Sequence, residues 1–214
     1  MKAVITSPNL NFSWLVHGFG LRDSVPPAAL TTAKQIHSAT VLDACGRRGE
    51  QIGEGDAIVS SEPGVVIGIR TADCVPILVA DPETRMVACI HAGWRGTASN
   101  IVGATIDVLR SRGSKPENLH VAIGPSIGSC CYEVGPEVAC HFETWRGGPI
   151  QDVHSVEKST LDLPAINESQ LRAAGVLQVW KCGECTFCQP ARFFSFRRER
   201  ESAGRMLSFV SRVV

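Results

Sequence analysis

Hydrophobic residues in this chain gather in short runs more often than in long amphipathic stripes. Ala39–Ala44, Asp56–Ser61, Val65–Arg70, Val75–Ala80 and Met86–His91 are rich in Val and Ile and are separated by Gly, Pro or Asp, the signature of successive strands. Two of the breaks carry turn chemistry, Glu-Pro-Gly within IVSSEPGVVIGI and Asp-Pro-Glu-Thr within ILVADPETRMVACI. Both pairs are expected to form hairpins. Helical periodicity first appears at Ile101, Ala104, Thr105, Val108 and Leu109; Thr97 or Ser99 suits its start, and Arg110, Arg112 and Gly113 its end. Leu119–Ile123 returns to strand. Pro136 opens a short helix through Glu143, and a third helix starts near Asp162-Leu163-Pro164 and stops at Gly175. Val176–Lys181 and Met206–Val213 read as closing strands. Neither a repeat nor a polar linker breaks the series. Residues 1–214 are therefore expected to form a single α+β domain around a mixed, largely antiparallel sheet.

Composition narrows the class. With 214 residues and 44% hydrophobic side chains, the chain is long enough to bury a full core without disulfide support. Its 21 basic and 21 acidic residues cancel, which removes any global charge that would select nucleic acid or a membrane surface. The longest apolar stretch, Val65 to Ala80, is interrupted by Arg70, Asp73 and Pro76, so no membrane span is expected. MKAVITSPNLNFSW is unlike a signal or transit peptide, and the cytoplasm is the expected compartment.

Nine cysteines, an odd number without a secretory signal, argue against a disulfide framework. Cys182, Cys185 and Cys188 form a CxxCxxC array that on its own suggests zinc or an iron–sulfur cluster. Both usually need four ligands, and no matched fourth cysteine follows.

Three other residues draw attention by position. Cys74 follows Thr71-Ala72-Asp73 at the end of an apolar strand, His91 ends MVACI before Ala92-Gly93-Trp94-Arg95-Gly96, and His37 closes Lys34-Gln35-Ile36-His37. Strand ends that run into glycine-containing loops are where a rigid scaffold presents side chains to a ligand. One cysteine and two histidines make a catalytic zinc set with an open fourth position. The same trio also makes a Cys–His nucleophile pair with an orienting partner. Taken singly, each residue is equally at home in packing or in a local hydrogen bond.

Together KQIHSATV, GDAIVSSEPGVVIGIRTADCVPIL, HAGWRG, IGPSIGSCCYEVGPEV and RFFSFRRERESAGRM resemble the laccase-domain family, once called multicopper polyphenol oxidases and now regarded as purine nucleoside phosphorylases. The resemblance runs from about Lys34 to Val210. It implies a layered α/β sandwich and a cytoplasmic enzyme that splits adenosine, inosine and methylthioadenosine with phosphate, with adenosine deamination as a further activity. The family's zinc positions map onto His37, Cys74 and His91. Members usually carry a glycine-rich turn, a Ser-Leu-Asn-Leu-Gly segment and a helix before the KQxH motif, which LRDSVPPAALTTAKQIH lacks. Cys130-Cys131 and Cys185-Thr186 follow the family's pattern, whereas Cys188 looks particular to this chain.

Phosphorolysis needs cations aimed at developing negative charge. Arg70 and Arg95 are the candidates for phosphate or ribose, Arg70 because a continued strand would place it on one face with Ala72 and Cys74. Asp73 is the candidate for orienting a ligating histidine or accepting a purine N–H. Gly124–Ser129 offers either an anion-holding row of amides or a tight turn. Arg192, Arg197, Arg198, Arg200, Arg205 and Arg212 outnumber the acids in their segment and are expected to be a solvated face or an anion-facing wall before an RNA-binding patch.

Three rivals stand beside a zinc phosphorylase. Six histidines without a His-x-His pair cannot furnish a multicopper set, although copper in the His/His/Cys site would give weak polyphenol oxidation. Cys74 with His91 as base would give a hydrolase, suited to editing peptidoglycan precursors. A binding module fits least well, because an open coordination position describes a catalytic site better than a structural one.

Overall fold

A computed structural model describes residues 4–145, 150–151 and 159–213. The strands in chain order are β1 Val4–Ile5, β2 Leu15–Gly20, β3 Leu30–Lys34, β4 Val41–Asp43, β5 Gln51–Glu54, β6 Ala57–Ser60, β7 Val66–Thr71, β8 Val75–Ala80, β9 Val87–Ala92, β10 His120–Ile123, β11 Glu133–Val134, β12 Ile150–Gln151, β13 Ser159–Leu161, β14 Gln178–Lys181 and β15 Met206–Arg212. Helices α1 Trp94–Ala98, α2 Ile101–Ser111, α3 Pro136–Ala139, α4 Leu163–Ala173 and α5 Phe196–Glu199 lie between them.

Two six-stranded sheets carry the fold, ordered β1-β2-β15-β7-β3-β5 and β14-β10-β8-β9-β6-β4, with a small sheet β11-β13-β12 beside them. Antiparallel pairs dominate, and β3–β5, β3–β7, β4–β6 and β10–β14 are parallel. Every residue of β6, β8 and β9 is buried, because that sheet serves two cores. On β8, Val75, Ile77 and Val79 meet Ile101, Ile106 and Leu109 of α2 and Ile166 and Leu171 of α4. Leu78 and Ala80 point the other way, into a core shared with Phe19, Ile67, Ile69 and Val210 of the first sheet. Period-two alternation is thus present, but both faces are apolar, which is why these strands read as continuous hydrophobic runs. The expected α+β class, layered and largely antiparallel, is what the chain adopts.

Three local expectations change. The Asp-Pro-Glu-Thr break does join a hairpin, β8–β9, with Val79 opposite Ala88. The Glu-Pro-Gly break does not: β6 pairs with β9 and β4, while β7 pairs with β15 and β3 in the other sheet. Turn residues reverse the chain but leave open which sheet receives the next strand, so one expected sheet becomes two. The α2 cap is Asn100, in a left-handed conformation with its side chain accepting from Gly103 N–H, because Thr97 is buried inside α1. The helix opened by Pro136 ends at Ala139 and continues as a 3-10 turn over Cys140–Trp145. Asp162 caps α4, and Gly175 beyond its end has a φ of +95°, as expected.

Two features of the topology position the site. Parallel pairing of β3 and β7 brings their C-terminal ends, which lead to His37 and Cys74, to the same edge. In the other sheet β6 runs antiparallel to β9 with Ala57 opposite Ile90, which sets Asp56 beside His91.

Candidate active site

His37, Cys74 and His91 converge, with one potential ligand atom from each lying within 4.8 Å of the others. His91 is held in the last turn of the β9 ladder, its N–H donating to the Asp56 carbonyl at 2.7 Å. His37 sits beyond the end of β3 with a φ of +59°, a left-handed conformation uncommon outside glycine. Cys74 follows Asp73, whose φ of +91° turns the chain off β7. The two imidazole rings stand edge to face, 4.9 Å between centroids.

Asp56 organises the group. Its fully buried carboxylate accepts from Nδ1 of His91 at 2.8 Å and from the His37 N–H at 3.0 Å through Oδ1. Through Oδ2 it accepts from Ile36 N–H, Ser38 N–H and Ser38 Oγ at 3.2, 2.6 and 2.8 Å. One side chain therefore wraps the His37 turn and fixes the His91 ring, leaving Nε2 of His91 as the nitrogen for a ligand. Burial opposes ionisation of Asp56, but the hydrogen bonds from His91 and then Ser38 outweigh it and hold the carboxyl down to about 2. Burial likewise resists charge on Cys74 and His91, yet their mutual attraction wins, lowering the thiol and raising the imidazole.

The donor set fits a zinc-class ion: two imidazoles and a thiol inclined to ionise, with a carboxylate behind one imidazole and space in front. Gly93 supplies part of that space. A Cβ there would come within 3.0 Å of both Cys74 Sγ and His37 Cδ2.

The trio opens onto a cavity of about 590 Å³. Trp94, Tyr132 and Phe196 give it aromatic walls, and Arg70, Arg95, Arg197, Arg200 and Arg205 line it. Among the described residues no carboxylate forms an ion pair with any of these five guanidiniums. Arg95 stacks over Trp94 at 4.3 Å and Arg197 over Tyr132 at 5.2 Å. Burial and then the Cys74 charge push the Tyr132 phenol up to about 12, so it stays a hydrogen-bond donor. Thr71 is buried in the wall, and its hydroxyl has no partner among the described residues.

Arg70 and Arg95 reach this cavity as the sequence reading placed them, but not for the reason given in the case of Arg70. Strand β7 ends at Thr71, so the period of two does not carry through to Cys74. Asp73 lines the wall with its carboxylate already engaged by Thr186 Oγ1 at 2.6 Å, Ser195 Oγ at 3.0 Å and Arg197 N–H at 2.7 Å. It ties the 186 and 195–197 segments to the site and makes no contact with a ligating histidine. That position belongs to Asp56, missed in the sequence because it looked like the first residue of a strand. The signal was there: a carboxylate at the head of the apolar run Ala57-Ile58-Val59 needs buried donors.

Gly124–Ser129 is neither an anion cradle nor a tight turn but an irregular loop in which Ser126 makes an isolated parallel bridge with Cys185. Its Ser126, Ile127 and Gly128 amides donate to Glu184 O, Asp73 O and Cys185 Sγ. In the arginine-rich segment Arg192 and Arg198 pair with Glu184 and Glu199, while Arg197, Arg200 and Arg205 line the cavity. Cys182 faces Glu184 and stands apart from Cys185 and Cys188, which instead meet Cys130 and Cys131. No helix among the described residues is long and apolar enough to cross a membrane.

The model of the multi-copper polyphenol oxidoreductase laccase family matches residues 11–213. A purine nucleoside phosphorylase of Deinococcus radiodurans is 39% identical over 177 residues, 82% of this chain and 67% of that protein. Adenosine deaminase RL5, from an unknown prokaryotic organism, is 37% identical over 163 residues, 73% of this chain and 62% of that protein. The crystal structure of YlmD from Geobacillus stearothermophilus superposes with a TM-score of 0.88 at 29% identity, covering 97% of this chain and 94% of that one. With a match across nearly its whole length, the chain belongs to the multi-copper polyphenol oxidoreductase laccase family.

Proposed function

We propose that this chain is a purine nucleoside phosphorylase that cleaves adenosine, inosine or S-methyl-5'-thioadenosine with phosphate at the His37/Cys74/His91 site, with zinc as the metal. The observation that carries the reading is the pairing of that trio with five arginines that have no carboxylate partner among the described residues, in one aromatic-walled cavity. Such a cavity provides for both halves of the reaction: cations for phosphate, and ring faces for the base and sugar. A zinc held by the trio would supply Lewis-acid stabilisation of negative charge at the cavity floor.

The chain's own residues have definable tasks. Arg70 and Arg95 bind phosphate or ribose hydroxyls, joined by Arg197, Arg200 and Arg205. Asp56 holds His91 and His37 in register, and Asp73 anchors the segment that presents Arg197. Deamination is less well served. The only carboxylate lining the cavity among the described residues is Asp73, whose oxygens are engaged, and zinc deaminases use a free glutamate as proton carrier.

The attraction between Cys74 and His91 supports one rival, a thiolate–imidazolium hydrolase. Product analysis on adenosine, inosine and methylthioadenosine with and without phosphate separates the readings. Free base plus ribose 1-phosphate (5-methylthioribose 1-phosphate from methylthioadenosine), formed only with phosphate and lost in Cys74→Ala, is the expected result. Phosphate-independent turnover of any of them, or inosine as sole product from adenosine, would displace phosphorolysis as the main activity.

A further inference from the structure

Besides His37, Cys74 and His91, four thiols from two distant segments meet. Cys130 and Cys131 come from the loop after β10, and Cys185 and Cys188 from the loop after β14. Their four Sγ atoms all lie within 4.8 Å of one another. The Cys130–Cys188 and Cys131–Cys188 sulfur pairs are 3.8 and 3.4 Å apart. All four are free thiols, with Cys130 and Cys188 exposed and Cys131 and Cys185 half-buried. We infer that Cys130, Cys131, Cys185 and Cys188 form a second metal site, one that takes a single zinc-class divalent ion in tetrahedral thiolate coordination.

The spacing is what decides the ligand. Zinc–sulfur bonds of about 2.3 Å arranged in a tetrahedron hold the sulfurs about 3.8 Å apart, against 3.8 and 3.4 Å for the two pairs that involve Cys188 and an upper bound of 4.8 Å for all four. An iron–sulfur cube places a separate iron under each cysteine and needs its sulfurs farther apart than four that share one ion. A hard cation such as magnesium or calcium takes oxygen ligands and has none to use here. Sequence spacing alone could not find this site. Cys185-x-x-Cys188 supplies two ligands on one loop, and the other two arrive from more than fifty residues upstream through the parallel pairing of β10 with β14.

The surroundings suit thiolates on a metal. Gly128 N–H donates to Cys185 Sγ at 3.3 Å, the kind of hydrogen bond that orients and stabilises a coordinating sulfur. Arg198 holds the loop between the two downstream cysteines by donating to the Thr186 and Phe187 carbonyls at 2.9 and 2.7 Å. Four thiolates complete the coordination of a tetrahedral ion, so the site is structural and not catalytic.

The same loops reach the cavity. Residue 132, directly after the Cys130-Cys131 pair, is the Tyr132 of the aromatic wall, and Thr186 between the downstream cysteines donates to Asp73. An ion at the four sulfurs clasps these loops together and so steadies one side of the active-site cavity.

Metal content of the full-length reduced protein tests the inference independently of the proposed reaction. Two zinc equivalents per chain are expected for the wild type, one for Cys188→Ser, one for Cys74→Ala and none for the double variant. Zinc that survives Cys74→Ala and disappears in Cys188→Ser supports the second site even if the first holds no metal. A single equivalent that Cys74→Ala removes and Cys188→Ser leaves in place overturns it. Should Cys188→Ser fail to fold, the zinc X-ray absorption spectrum of Cys74→Ala decides, with four sulfur neighbours expected and nitrogen or oxygen neighbours fatal. Metal-free wild-type protein whose mass shows disulfides among these cysteines, or the visible absorption of an iron–sulfur cluster, would also overturn it.

Discussion

Asp56→Asn puts the organisation of the site to its most direct test. The carboxylate accepts five hydrogen bonds, two on Oδ1 from His37 N–H and His91 and three on Oδ2 from Ile36 and Ser38. Asparagine keeps one oxygen and turns an NH2 group toward donors on the other side. If the oxygen stays with the histidines, three donors of the 36–38 turn face the amide; if it stays with the turn, the histidines do. Either way two or three bonds to a charged acceptor are lost in a buried place. At about 1.5–3 kcal/mol each, and allowing for relaxation, the expected destabilisation is about 3–5 kcal/mol. In the first case the turn that carries His37 loses its anchor, in the second the His91 ring loses its partner, and in both a ligand loses its fixed orientation, so zinc affinity at this site should fall by about 10–100-fold. Chelator competition measures the affinity, and urea unfolding measures the stability. A folded Asp56→Asn protein that binds zinc at the first site within about twofold of wild type would refute the claim that Asp56 orients the ligands.

Three further outcomes follow from the same geometry. Gly93→Ala places a methyl group 3.0 Å from Cys74 Sγ and His37 Cδ2 and should abolish zinc binding at the first site, with the far-ultraviolet circular dichroism spectrum unchanged. Arg95→Ala combined with Arg200→Ala should raise KM for phosphate by about tenfold or more with a smaller effect on KM for nucleoside, since each removes a cation that no carboxylate among the described residues pairs with and leaves the aromatic faces. Asp81, in the β8–β9 turn, accepts from Thr84 Oγ1 and from the Glu83 and Thr84 amides. Burial raises its pKa, but hydrogen bonds from Ser114 and Thr84 outweigh this and hold the carboxyl below the usual range. A depressed carboxyl stabilises the fold above its unfolded pKa and loses that contribution as pH falls through its folded value. Asp81→Asn should therefore cost about 1–3 kcal/mol near neutral pH, with the gap to wild type closing below about pH 4 in urea titrations.

Much of the fold was legible because its strands are local objects. The runs that became β6 to β9, β10, β14 and β15 showed as short Val- and Ile-rich segments bounded by turn residues, and α2 and α4 showed by periodicity. What escaped was pairing. Nothing in Glu-Pro-Gly distinguishes a hairpin from a crossing between sheets, and the choice rests on where β7 buries its apolar face, here Ile67 and Ile69 packed with Leu78 and Ala80 of the second sheet while β15 and β3 pair along its edges. Strands β1 to β3 escaped as well, since Leu15–Gly20 is interrupted by His17 and two glycines and Leu30–Lys34 is mostly small or polar. They are strands because the first sheet recruits them.

His37, Cys74 and His91 could be picked out from the chain because a chemically capable side chain at a strand end is a local feature, and the laccase-domain motifs sharpened that reading. Their convergence could not be, and neither could Asp56 as their shared partner nor the meeting of Cys130-Cys131 with Cys185 and Cys188. Periodicity, turn chemistry and residue type act over a few neighbours, so the sequence by itself determined the Val- and Ile-rich strands, the α+β class and the residue types at the strand ends. Distances between segments depend on sheet order and on the burial of two apolar faces at once, which are properties of the whole chain. Only the tertiary structure decided that a carboxylate from the head of β6 holds two histidines, that Asp73 braces a loop, and that four scattered thiols share one small volume.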